Sequence, residues 1–258
     1  MKAVMFRRVV AISSLVVAVQ FLAPAAQANH SWAGYHWART ANPFTVALGD
    51  NVSSVWDPVL RAAAADWGTS AVLDTTVVAG KLDLLKRCNP TSGRVEVCNS
   101  TYGQNGWLGI AQVWTTGTHI VQGTVKLNDS YFNMAKYNTP AWRALVTCQE
   151  VGHTFGLDHQ DENFTNPNLG TCMDYTNDPT SNQHPNAHDY AELASIYSHL
   201  DTTNTAKSAA PLAGLATTLG NVDEWGQAVR FGANGRPVLF VQNLAGGDRA
   251  FTWVTWAD

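Results

Sequence analysis

Gln149, Glu150, His153 and His159 are the residues of this chain whose types and spacing could do chemistry. They stand in the run Gln149-Glu150-Val151-Gly152-His153-Thr154-Phe155-Gly156-Leu157-Asp158-His159. On a helix, Gln149 and His153 lie one turn apart and share a face, with Glu150 beside it. Gly156 tolerates a positive φ and can turn the chain sharply out of the helix. That turn would bring His159 back toward His153. Three neutral donors and one acid would then surround a single ion, with one position left open for water. This is the plan of a catalytic zinc site, where the metal lowers the pKa of a bound water to about 7.

With these residues the chain resembles the metzincin metallopeptidases, and within them the matrixin-like group. Their pattern is H-E-x-x-H-x-x-G-x-x-H followed by a Met-turn. Glu150, His153, Gly156 and His159 match it position by position, and Met173, in Cys172-Met173-Asp174-Tyr175, falls where the Met-turn belongs. The resemblance covers roughly residues 43–200. It implies an α+β, zincin-like fold: a twisted five-stranded mixed sheet, an active-site helix and a C-terminal helix. It implies Zn2+ held by Gln149, His153 and His159, with Met173 as a floor beneath the ion. Glu150 would take a proton from the water at the metal and deliver it to the leaving amine. Tyr175 would either assist near the metal or pack beneath it. The substrate would be an extended peptide or protein, paired antiparallel with the strand at 108–113 through main-chain hydrogen bonds.

One position departs from the family. Its first ligand is histidine, and here it is Gln149. Glutamine Oε1 and histidine Nε2 are equally many bonds from Cα, and both ligands are neutral, so reach and charge are preserved. An amide oxygen is a harder, weaker donor to zinc than imidazole, and its extra torsion costs roughly 0.5–1 kcal/mol to freeze. Looser zinc binding is expected. Asp158 or Asp161 could serve as an oxygen ligand instead.

Around this run the chain supplies the elements that must position it. Asn138-Thr139-Pro140 is a helix start, and the helix should run from 140 to about 155, where Gly156 ends it. Before it, strands are expected at 43–48, 75–79, 94–98, 108–114 and 123–127 from alternation and β-branched content. Asp57-Pro58 opens an Ala-rich helix that Gly68 stops. After the motif come a polar loop at 158–187 and a helix at 187–200 with Leu193, Ile196, Tyr197 and Leu200 on one face. Residues 201–210 read as a linker. The segment 211–258 reads as a small β-meander appendage, with strands at 226–231, 237–243 and 250–256.

Residues 1–28 read as a secretory signal peptide. Lys2, Arg7 and Arg8 precede an apolar run, and Ala26-Gln27-Ala28 offers a cleavage pattern. The catalytic domain would then span 29–200 of a secreted, extracellular or envelope protein. Export permits disulfides. Cys88, Cys98, Cys148 and Cys172 allow three pairings. Nearest neighbours, Cys88–Cys98 and Cys148–Cys172, are favoured, and the second would clamp the motif helix to the Met173 segment. No Cys lies between 29 and 87, so a cysteine-switch propeptide is excluded.

With 45% apolar and only 14% charged residues, the 258-residue chain is too hydrophobic for disorder. Its net charge of −4, and the lack of a basic cluster after residue 8, argue against nucleic acid as a partner. No later segment is long and apolar enough for a membrane span. A monomer is expected. Asp/Asn-rich loops would permit calcium, but no EF-hand pattern is present. His30, His36, His119, His184, His188 and His199 lack ligand-like spacing and read as surface or supporting residues. Two rivals stand beside the peptidase: a silent metzincin-fold binding protein disabled by Gln149, and a structural exoprotein that works through its C-terminal meander.

Overall fold

The computed structural model describes Met1 and residues 30–81, 86–207 and 221–257. The leader expected at 1–28, and residues 208–220 between the two halves of the chain, fall outside the described residues. Among those described, no helix is long and apolar enough to cross a membrane.

The architecture is α+β with one mixed sheet. Its strands are β1 (His36–Trp37), β2 (Phe44–Asn51), β3 (Leu73–Ala79), β4 (Arg94–Ser100), β5 (Trp107–Thr116), β6 (His119–Asn128), β7 (Gln227–Phe231), β8 (Pro237–Asn243) and β9 (Arg249–Trp256). The helices are α1 (Asp57–Trp67), α2 (Asp129–Phe132), α3 (Pro140–His153) and α4 (Ala187–Ile196). The sheet runs β3-β2-β4-β6-β5-β9-β8-β7, with β1 added beside the start of β6. β2, β3, β4 and β6 are mutually parallel. β5 is antiparallel to β6, and every pairing beyond it is antiparallel.

Among the described residues the sheet has nine strands, which corrects the expected five. The first five-strand run is present, but the meander does not stand apart from it: β9 pairs with β5 from Trp107↔Trp256 to Thr115↔Arg249. β5 is consequently not an edge. It is buried at every position but the last, because both its faces are covered as well as both its sides. Ala111 and Val113 face a core shared with the helices, while Ile110 and Trp114 face a second cluster with Trp225, Phe240 and Val254 of the tail. This is the period-two alternation of a strand with apolar partners on both sides.

On the first face, α1 and α3 bury Leu60, Ala64, Trp67, Leu145, Val146 and Val151 against the sheet. α1 begins at Asp57-Pro58 and gives way to Gly68, as local chemistry dictates. α3 begins at Pro140, with the Thr139 side chain accepting from Trp142 N at 3.2 Å. α4 carries a full capping box from Asn186 and Asp189. It ends at Ile196, earlier than expected, so Leu200 is exposed while Leu193, Ile196 and Tyr197 are buried.

Residues 201–207 do not behave as loose linker. Asp201 N donates to Arg39 O at 2.8 Å, Thr205 N to Ala38 O at 2.9 Å, and Ala206 is buried. Both disulfides join nearest neighbours: Cys88–Cys98 and Cys148–Cys172, each with Cα atoms 5.9 Å apart.

Candidate metal centre on helix α3

α3 ends at His153, two residues before the expected end, and the chain then turns through Gly156 at φ 99°. A Cβ at Gly156 would stand 2.5 Å from Tyr35 O, so glycine is required there by both torsion and space. Carbonyls at a helix C-terminus lack intrahelical donors. Here aromatic side chains supply them: Trp32 Nε1 to His153 O at 3.3 Å, Trp37 Nε1 to Thr154 O at 2.9 Å, and Tyr197 Oη to Phe155 O at 2.8 Å. These bonds fix the exit of the helix and thereby aim His159.

The turn brings the two imidazoles together. His153 Nε2 and His159 Nε2 face each other at 3.0 Å, both rings buried. His153 Nδ1 lies 2.9 Å from Leu157 O, and a carbonyl can only accept, so that nitrogen carries the proton. His159 Nδ1 lies 3.1 Å from Glu162 Oε1, which calls for the same tautomer when that carboxyl is ionised; burial and Asp161 push its pKa up to about 7. With Glu162 ionised, each Nε2 presents a bare lone pair to the other; with it protonated, His159 Nε2 donates to His153 Nε2. Burial holds both imidazoles below their ordinary range, His159 down to about 3, and each is further opposed by a neighbouring histidine. Two neutral imidazoles facing lone pair to lone pair repel, unless a cation or proton lies between them. Outer nitrogens anchored to a carbonyl and a carboxylate are the usual support of metal-binding histidines. By its donor chemistry this pair suits a zinc ion.

Gln149 is not aimed in the same way. Its Nε2 donates to Cys172 O at 2.9 Å, and its Oε1 accepts from Thr255 Oγ1 at 2.5 Å. Thr255 belongs to β9, so the tail holds the third expected ligand. Asp158 and Asp161 are likewise engaged: Asp158 Oδ1 accepts from His159 N at 2.9 Å, and Asp161 accepts from Asn163 and Asn166.

Glu150 is fully buried, and neither carboxylate oxygen has a well-formed hydrogen bond. Burial pushes its pKa up to about 8, against a smaller downward pull from Thr255 and the Ala111 backbone. The Tyr175 ring lies 4.3 Å from that of His159, and its buried hydroxyl also lacks a partner. Burial, with Glu162 and Glu150 nearby, raises it well above the ordinary phenol range. Three orphaned oxygens beside two bare imidazole nitrogens make a polar enclosure whose needs the chain does not itself meet.

Met173 is fully buried beneath α3. A Cβ at Gly152 would meet its Sδ at 2.8 Å and Trp67 at 2.6 Å, so this glycine sets how closely helix and Met173 approach. Cys148 and Cys172 adjoin Gln149 and Met173, and their disulfide ties the two segments together.

Several residues at this site were not found from sequence. Trp253 stacks on His153, centroids 5.3 Å apart. Arg230 of β7 forms ion pairs with Asp158 and, at 3.1 Å, with Glu162. Both belong to the tail, and nothing in their local pattern marks the surface on which they land. The other histidines also need correction. His30 and His36 are buried, and His36, His119 and His199 gather around Asp201.

No family model matches the chain, and no curated protein sequence matches it. Among solved structures it is similar to high choriolytic enzyme 1, a hatching-enzyme zinc protease from Oryzias latipes (medaka fish). The match has a TM-score of 0.36 and 11% identity, and covers 67% of this chain and 99% of that one.

Proposed function

We propose that the chain is a secreted, zinc-dependent endopeptidase of metzincin type, held closed by its own C-terminal strand. The observation that carries this reading is the pair of buried imidazoles facing each other at 3.0 Å, each with its outer nitrogen anchored. His153 and His159 would hold the ion, with Gln149 Oε1 as third donor once Thr255 releases it. Zinc there would supply a Lewis acid that polarises the scissile carbonyl and acidifies water.

The chain's own residues account for the rest. β9 lies antiparallel along β5, as an extended peptide would lie. Moving β9 aside exposes the N–H and C=O groups of β5 to a substrate in the same register. It also admits water to Glu150, which returns its carboxyl toward the ordinary range and makes it a base. Glu150 then accepts a proton from water and passes it to the leaving amine nitrogen. Tyr175 Oη is a free donor for an oxygen on which negative charge develops.

The test uses the mature chain with a specific protease site placed within 208–220, loaded with zinc and assayed on an unfolded protein substrate. Hydrolysis is expected to rise after the cut, to stop with chelator and to vanish in Glu150→Ala. Zinc-loaded protein that stays inert before and after release of the tail would overturn the reading. A second reading, a silent binding protein on the same fold, draws support from one observation: both polar atoms of Gln149 are already satisfied by Cys172 and Thr255. It requires zinc-free, inactive wild type in which Gln149→His creates both metal binding and activity.

A further inference from the structure

A second group of donors converges away from α3, where β1, the start of β6 and the chain after α4 meet. His119 Nε2 lies 3.3 Å from Asp201 Oδ1, His36 Nε2 3.5 Å and His199 Nε2 3.7 Å. His199 Nε2 and His36 Nε2 are 3.2 Å apart. Donor atoms at the corners of a zinc tetrahedron with bonds of 2.0–2.1 Å stand about 3.3–3.4 Å from one another. The four separations lie within about 0.4 Å of that value, and the donor atoms of His36, His119 and Asp201 all lie within 4.8 Å of one another, with His199 beside His36 and Asp201.

The supporting bonds agree. His36 Nδ1 lies 2.8 Å from Gly34 O, so it carries the proton there and leaves Nε2 the lone pair directed at the cluster. Arg39, fully buried, takes the other carboxylate oxygen: Nη1 to Asp201 Oδ2 at 2.9 Å and backbone N at 3.1 Å. It also donates to His199 O. One guanidinium thus orients both late donors and leaves Oδ1 for the cluster, as supporting shells of metal sites do. The register of the sheet delivers the early pair, since His36 and His119 are direct partners in the β1–β6 ladder. An ion-pair cluster without metal is the alternative. In it imidazole N–H groups and Arg39 share one carboxylate, and His199 Nε2 donates to the His36 Nε2 lone pair at 3.2 Å. A single divalent ion satisfies all three lone pairs and Oδ1 together.

We propose that His36, His119, His199 and Asp201 form a second, structural zinc site, distinct from the His153–His159 pair, that pins the start of the described chain and the segment after α4 to β6. A donor set of three imidazole nitrogens and one carboxylate oxygen suits zinc among the common divalent ions.

The test is metal content of the mature full-length chain, stripped and then dialysed against Zn2+. In His153→Ala/His159→Ala one zinc per chain should remain. Cobalt substitution should give the strong visible bands of a tetrahedral site, and zinc should raise Tm. Adding His119→Ala/His199→Ala, two partly exposed positions, should remove the remaining ion, the cobalt bands and the rise in Tm. Should the first double variant fail to fold, wild type against His119→Ala/His199→Ala answers the same question, with one zinc per chain lost. Retention of every zinc in the His119→Ala/His199→Ala protein, or an anomalous zinc map with no signal among His36, His119, His199 and Asp201, overturns the proposal. Neither outcome bears on hydrolysis, so this site and the peptidase reading can fail separately.

Discussion

Trp253 lies flat against His153, ring centroids 5.3 Å apart and planes 16° from parallel. The two belong to opposite ends of the described chain's logic: one to the motif helix, the other to the last strand. Trp253 is fully buried, and Trp32 packs against it at 4.5 Å. Its neighbour on the same strand, Thr255, holds Gln149. The tail therefore covers the imidazole pair, holds the Gln149 side chain and fills the strand position beside β5 in a single element.

Trp253→Ala should destabilise the protein by about 3–5 kcal/mol, the usual cost of emptying a buried aromatic site. Chemical denaturation measures it. A loss below 1 kcal/mol would mean that the last strand is not packed on α3 in solution.

Zinc affinity at the α3 site should respond to the hold on Gln149. Thr255→Val removes one hydrogen bond from Oε1 and should tighten binding about fivefold, from roughly 1 kcal/mol. Gln149→His should tighten it more, because imidazole is the better donor. Competition with a chromophoric chelator reads both. In each, His119→Ala/His199→Ala serves as background, so that only the α3 site is counted. Unchanged affinity in both variants would remove Gln149 from the ligand set.

Lys126 gives a pH signature of its own. It is buried in β6, and burial brings its pKa down to about 8, with Glu224 opposing. Below pH 8 both folded and unfolded states are protonated, and the cost of burying the charge is complete. Between about 8 and 10.5 the unfolded state holds a proton that the folded state has lost, so stability rises with pH, by about 1.4 kcal/mol per unit for this group. Lys126→Met should remove that rise. Urea titrations at pH 7, 8.5 and 10 compare the two slopes, and parallel curves would show that Lys126 keeps an ordinary pKa.

The Cys148–Cys172 bond closes a sequence separation of 24 residues, against 10 for Cys88–Cys98. Chain entropy gives about 3.5 kcal/mol for the longer loop and about 3 for the shorter. Cys148→Ala/Cys172→Ala should therefore cost slightly more stability than Cys88→Ala/Cys98→Ala. It should also weaken zinc binding at the α3 site, because Gln149 Nε2 bonds to the Cys172 carbonyl. Equal zinc affinity in the two variants would dissociate the clamp from the metal site.

Much of this was written locally. Asn138-Thr139-Pro140 sets the start of α3, helical period sets Glu150 and His153 on its buried side, and Gly156 sets the turn that returns His159. These features depend on torsions and spacings within about twenty residues, so sequence alone determines them. The alternation of the tail likewise announces three strands. What it lacks is an address: backbone ladders use the same N–H and C=O groups whichever strand they join, so nothing in 249–256 names β5 as its partner. Only the folded chain decides that β9 covers α3, and with it the orientation of Gln149 and the burial that raises the Glu150 pKa. The gathering of His36, His119 and His199 around Asp201 is decided there too, since it joins residues up to 165 positions apart, for which no sequence period exists. Short-range stereochemistry fixed the donors, and long-range packing fixed what stands in front of them.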